Sequence, residues 1–189
     1  MKALVVYESM FGNTRHIAEA IAEGLRESIP TDIAPARHPE AVELDDVELV
    51  VVGAPTHAWG LSSERTRDAA AQDCAKHPDH LLDTSPIGPG VREWLKEQHG
   101  RRACRAVAFD TRIDKPEILT GSAARSIQRR LRHAHFSTFA SPHSFTVTAT
   151  AGPLVAGEIE RARQWGEAMG RSIAPHRSAR PKPDRAAGR

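Results

Sequence analysis

Short, nearly continuous apolar runs constrain this chain most. Ala3–Tyr7, Leu49–Gly53, Ala103–Phe109 (with Arg105 inside) and Phe145–Ala149 are too brief for buried helices and too continuous for strands with one wet face. A strand apolar on both sides needs cover on both sides, which is the condition of a parallel sheet held between helices. A weaker strand, Thr31–Ala36, follows the first helical pattern. That pattern sets Ile17, Ala18, Ile21, Ala22, Leu25 and Ile29 on one face, with Arg15, Glu19, Glu23, Arg26 and Glu27 on the other. Further helical patterns run near Gly90–Gln98, Ser122–His133 and Val155–Ile173. The order βαβαβαβαβ predicts a doubly wound α/β domain with a five-stranded parallel sheet and helices on both faces.

The 189 residues suit one such domain, expected over residues 1–173. Its 40% hydrophobic and 26% charged residues are those of an ordinary globular protein. No run approaches the roughly 18–20 apolar residues that cross a bilayer, and Met1-Lys2-Ala3 leads straight into a strand without a signal-peptide pattern. Cys74 and Cys104 match no CxxC or zinc spacing, so a cytoplasmic location with both thiols reduced is expected. The ten histidines are scattered, and His77 and His80 lack a third ligand, so no metal site is expected.

Charge is unevenly placed. Residues 174–189 carry Arg177, Arg180, Lys182, Arg185 and Arg189 against Asp184, a net of +4, so the +2 of the whole chain leaves about −2 for residues 1–173. The tail has three prolines and no apolar period, which reads as a disordered basic segment. It is either solvated or drawn to anionic surfaces; no specific nucleic-acid partner is expected. Between the second strong strand and the third, Ser62–Gly90 mixes a short helix with the long loop "KHPDHLLDTSPIGPG".

In a doubly wound sheet, ligands sit beyond the carboxyl ends of the strands. The first such turn is Ser9-Met10-Phe11-Gly12-Asn13-Thr14, opening directly into a helix. Helix N-termini attract anions through their backbone N–H groups and dipole. Ser9 and Thr14 add hydroxyls, Asn13 an amide, and Gly12 close backbone approach. The plainer alternative is that Ser9, Asn13 and Thr14 only cap the helix. Missing residues remove several anion chemistries. No Gly-Lys-Ser/Thr ending makes a Walker loop, and one glycine is too few for a dinucleotide fingerprint. No cysteine nucleophile stands in the turn, and the second strong strand ends in Gly53-Ala54-Pro55-Thr56 rather than a phosphoacceptor aspartate. A phosphate held without metal or lysine remains.

"YESMFGNTRHIAEAIAEGL" resembles the FMN phosphate loop and first helix of the flavodoxin family, whose pattern is Ser/Thr-x-Thr-Gly-x-Thr. Ser9, Gly12 and Thr14 match, while Phe11 replaces a hydroxyl and is similar to the tryptophan-repressor-binding type of quinone reductase. The resemblance spans roughly residues 2–172 and implies a flavodoxin-like fold with FMN as cofactor.

Two further loops carry the resemblance. "GAPTHAWG", Gly53 to Gly60, resembles the loop that lays an aromatic over one flavin face, with Trp59 as that aromatic. The alternative puts Trp59 in the core. In the family the carbonyl of the residue matching Gly60 turns toward flavin N5. With Pro55, Thr56, His57 and Ala58, this loop completes the second expected cofactor contact; His57 either reaches the ring edge or is an ordinary loop histidine. "FDTRID", Phe109 to Asp114, stands where flavodoxins make their second ring contact, so Asp110, Thr111 and Arg112 are expected there. Arg112 either faces the ring or pairs with Asp110 or Asp114.

These residues point first to an FMN-binding flavodoxin-like electron-transfer protein, serving a redox partner protein or a small quinone acceptor. An FMN-dependent NAD(P)H:quinone or protoporphyrinogen oxidoreductase is the second reading, and a flavin-free binding domain the third. The helix "SAARSIQRRLRHAHF" shows a basic face of Arg125, Arg129, Arg130 and Arg132, either solvated or suited to an acidic partner.

Overall fold

A computed structural model describes residues 1–38, 44, 46–57, 59–76, 88–98 and 104–173, side chains of 73–76 excepted. In chain order the elements are β1 (Lys2–Tyr7), α1 (Asn13–Arg26), β2 (Thr31–Pro35), β3 (Val47–His57), β4 (Gly60–Leu61), α2 (Glu64–Lys76), α3 (Val91–Glu97), β5 (Arg105–Ile113), α4 (Glu117–Thr120), α5 (Ala123–His133), β6 (Ser137–Thr138), β7 (His143–Val147) and α6 (Glu158–Ile173). The sheet runs β2-β1-β3-β5-β6, with β7 also beside β5. All of these pairings are parallel; β4 alone returns antiparallel along β3. The doubly wound α/β expectation holds, with one refinement. The fifth position beside β5 is shared by two short strands, β6 at Arg105–Ala106 and β7 at Phe109–Ile113.

The nearly continuous apolar runs are explained by two cores. Val6, Val50, Val52, Ala106 and Ala108 face α3 and α5, meeting Trp94, Ile127 and Leu131. Ala3, Val5, Leu49, Val51 and Val107 face the other way, onto α1 and α6. Successive residues of a strand point to opposite faces, so each position must be apolar. The crossing of α1 and α6 depends on missing side chains. A Cβ on Gly24 would collide with the Arg163 carbonyl and lie 2.7 Å from the Glu167 nitrogen, and one on Gly166 would meet the Ile21 carbonyl. The two helix backbones touch there.

The long segment after Ser62 begins as a full helix, α2, rather than a short one. Residues 77–87, including His77 and His80, lie outside the described residues, as does the basic tail, 174–189. No described helix is long and apolar enough to cross a membrane.

Candidate functional site

Parallel pairing brings Tyr7, Gly53 and Phe109 side by side, so the chain leaves β1, β3 and β5 at one edge. The loops that follow enclose a cavity of about 340 Å³. Met10 and Phe11 of the first loop line it, with Asn13 and Thr14 at the start of α1. Pro55, Thr56 and His57 at the end of β3 join them, as do Trp59 in the hairpin beyond and Thr111 and Arg112 at the end of β5, which runs on into the expected loop. Ser9, Gly12, Gly60 and Asp110, expected with them, do not line the cavity. Ala58 lies outside the described residues.

The helix-capping alternative fails. The N-cap of α1 is Gly12, at φ 86° and without a side-chain cap, so the helix opens on bare backbone. Only glycine takes that left-handed conformation without strain. Asn13 instead donates its amide to the Gly152 carbonyl at 2.7 Å, tying the first loop to the one after β7. The Thr14 and Thr111 hydroxyls share one hydrogen bond of 2.7 Å, joining the first loop to the third. Of two hydroxyl protons one is used, leaving one O–H available.

Trp59 is 66% exposed, so it is a rim residue and not a core one. It sits at φ 73° at the tip of the β3–β4 hairpin and bridges to Gly121. Gly60 pairs with His57 in that hairpin, and a Cβ there would make only ordinary contact with Ser126 Oγ, at 3.5 Å. The His57 imidazole is held below its usual range, first by burial; Glu8 opposes and Arg67 adds to the shift. It is therefore neutral at pH 7 in the cavity wall.

Behind the hairpin lies a buried polar network that sequence reading missed. Glu8, at the end of β1, accepts from the Ser62 hydroxyl and from the Val91 backbone N–H at 2.9 Å. Arg67 donates to Ser62 Oγ at 3.2 Å and pairs with Glu93 at 3.1 Å. Its members come from the residue after β1, the residue after β4, α2 and α3, so no local spacing signals it.

Asp110 is a correction. Its carboxylate is fully buried and accepts from the Ser122 hydroxyl at 2.7 Å, Thr56 Oγ1 at 3.1 Å and the Ala124 N–H at 2.9 Å. All three bonds fall on Oδ2 and fasten the start of α5, while Oδ1 is buried without a hydrogen-bond partner; the residue does not line the cavity as expected. Arg112 pairs with neither Asp110 nor Asp114. It donates to the Lys115 carbonyl and to Thr120 Oγ1 at 3.2 Å, while its Nε is buried without a hydrogen-bond partner. The wall also includes Ile113, Lys115, Leu119 and Thr120, with Val147 at the end of β7 and Thr150 from the loop after it. The small-residue stretch "TATAGP" after the last strand was the signal for that fourth loop. Among the described residues no group of three or more His, Cys, Asp or Glu is placed to hold a metal.

A family model described as a flavodoxin domain matches residues 4–67, from β1 through the second cavity loop. Over 48 residues the chain is 44% identical to an NAD(P)H dehydrogenase (quinone) of Geotalea daltonii, a match covering 25% of this chain and 23% of that protein. The chain spans about a quarter of the length of the curated relatives it matches. Among solved structures, a Streptococcus pneumoniae flavodoxin superposes with a TM-score of 0.60 at 16% identity, covering 92% of this chain and all (100%) of that one. A flavodoxin described as WrbA-like, from Agrobacterium tumefaciens, gives 0.53 at 17%, covering 90% and 96%. In fold, and in the flavodoxin-domain match that carries its first two site loops, this chain is flavodoxin-like.

Proposed function

We propose that the cavity binds FMN and that the protein transfers electrons through it. The observation that carries this reading is the Gly12 N-cap: a helix N-terminus opening on backbone alone, beside a cavity roofed by an exposed tryptophan. The residues present fit the group. Backbone N–H groups and a spare Thr14/Thr111 hydroxyl suit a phosphate, the Trp59 ring suits one face of a flat heterocycle, and the orphaned Arg112 Nε suits a carbonyl-bearing edge. The flavin supplies the redox chemistry when bound; the chain binds it, shields it and sets its electrostatics. Neutral His57 offers a hydrogen-bond partner in the wall without adding charge.

Two features favour an enzyme as the second reading, with a nicotinamide donor and a quinone acceptor. Arg112 places a cation in the wall, and Trp59, Ile118 and Leu119 leave an exposed apolar rim suited to an uncharged ring. The test common to both readings is reduction. Protein reconstituted with FMN should show a bound-flavin absorption spectrum that dithionite bleaches and air restores. NADPH with added quinone then separates the readings, since only the enzyme turns over. A chain that binds no FMN at millimolar concentration is neither.

A further inference from the structure

Along α5, Ser126, Arg129, Arg130 and His133 line one side of a groove of about 380 Å³, with Arg92 of α3 across from them. Arg92 is held in place by donating to the Leu61 and Ser62 carbonyls. Burial lowers the Arg130 pKa from its ordinary value, as do Arg92 and Arg129 beside it; Glu93 opposes them. Yet Glu93 is already engaged, accepting from the Gly90 N–H at 2.9 Å and pairing with Arg67. The guanidinium of neither Arg129 nor Arg130 has a hydrogen bond or ion pair with any described residue. Elsewhere on the surface the pattern differs: Arg125 pairs with Glu117, and Arg163 with Glu160 and Glu167. Three arginines thus line one concavity, and the one carboxylate acting on Arg130, Glu93, is shared with Arg67 and forms no ion pair with the three.

The groove begins where the cofactor rim ends. A Cβ on Gly60, next to Trp59, would lie 3.5 Å from Ser126 Oγ. One helical turn on, Arg130 is about 6 Å farther along α5. Several guanidinium forks in a small concavity match a tetrahedral dianion better than the broad convex face of an acidic protein. We propose that the α3–α5 groove binds a phosphomonoester carried by the nucleotide-sized redox substrate of the neighbouring cavity. The substrate clause rests on the proposed redox function; the anion site stands without it.

The test is calorimetric titration of the full-length protein in phosphate-free buffer with NADP⁺ and with NAD⁺, which differ by one phosphomonoester. NADP⁺ should bind at least about tenfold tighter, the effect of one or more charge-assisted hydrogen bonds. Arg129→Gln and Arg130→Gln should each bring the ratio within about twofold, with melting curves showing that both variants fold. Arg132→Gln should leave it unchanged, because Arg132 bonds Thr138 outside the groove. Equal affinities for the two nucleotides, or an equal loss in Arg132→Gln, overturn the proposal. Inorganic phosphate binding as tightly as NADP⁺ overturns the nucleotide clause. An FMN titration of the same wild-type sample separates the two ideas. Nucleotide selectivity without FMN binding removes the redox function and keeps the anion site, while FMN binding without selectivity removes the groove alone.

Discussion

Arg112 is fastened by its own loop, to the Lys115 carbonyl and Thr120, and so cannot swing away from the cavity at little cost. A reduced flavin is anionic, and a cation on the order of 5 Å away at an effective dielectric near 20 contributes roughly 3 kcal/mol. Solvent at an open cavity mouth cuts this to about 1–2 kcal/mol. Arg112→Gln should therefore lower the potential of the second one-electron step by roughly 40–90 mV, read in a spectroscopic redox titration. A change below about 20 mV would show that Arg112 does not act on the ring. Trp59 makes a different claim. Its backbone is left-handed, which costs a non-glycine residue roughly 1–2 kcal/mol. Trp59→Gly should thus be more stable to urea than Trp59→Ala by about 1 kcal/mol, although both lose the ring. Bound FMN should fluoresce more strongly in each variant, since the quenching indole is gone. Trp59 was legible in the sequence as a loop residue beyond a strand end, and Arg112 as a site residue, although it stands at the end of β5 paired with Thr146 rather than in a loop. The role of Asp110 was not, because the donors that claim it stand on β3 and at the start of α5.

At the scale of elements, the α1–α6 crossing is a contact that hydrophobic periodicity cannot reveal. Periodicity marks where side chains pack, and here the closest approach is made by residues without them, Gly24 and Gly166. Gly166→Ala should cost about 1–3 kcal/mol or more, through forced separation of the helices, and urea unfolding measures it. The same limit applies to β4 and β6. Each is two residues long, too short to carry a period, and both were absent from the expected strand set. β1 and the centres of β3 and β5 were legible because burial on both faces leaves no polar position. β2 and β7, nearer the sheet edges, keep polar residues such as Asp32 and Thr146 and gave a weaker signal. Where β7 meets α6, His143 stacks on Trp165, with ring centroids 4.9 Å apart, and its Nε2 contacts the Arg161 guanidinium. Burial, then Arg161, holds the His143 pKa below its usual value, against Glu158 and Asp110. The unfolded chain takes up that proton more readily than the native one. Stability is therefore full above the ordinary imidazole pKa near 6.5 and falls as pH drops through it toward the native value. Urea midpoints at pH 7.5 and 5.5 should show this loss in the wild type and a smaller one in His143→Gln. An identical pH dependence in the two would dismiss the effect.

For the molecule as a whole, the sheet order places four loops around one cavity, and the helix that opens there does so on bare backbone. On the proposed reading, that arrangement would tell a flavin phosphate from the flavin ring. The measurement that bears on it most directly is a paired titration of the apoprotein with FMN and riboflavin, followed by flavin fluorescence. The two ligands share the ring and differ by the phosphate. Two or more charge-assisted bonds at roughly 1.5–3 kcal/mol each, with a helix dipole adding about 0.3–1 kcal/mol, predict FMN at least about a hundredfold tighter. Thr14→Ala should narrow that ratio by weakening FMN while leaving riboflavin nearly unchanged. Equal affinities for FMN and riboflavin in the wild type would contradict the account.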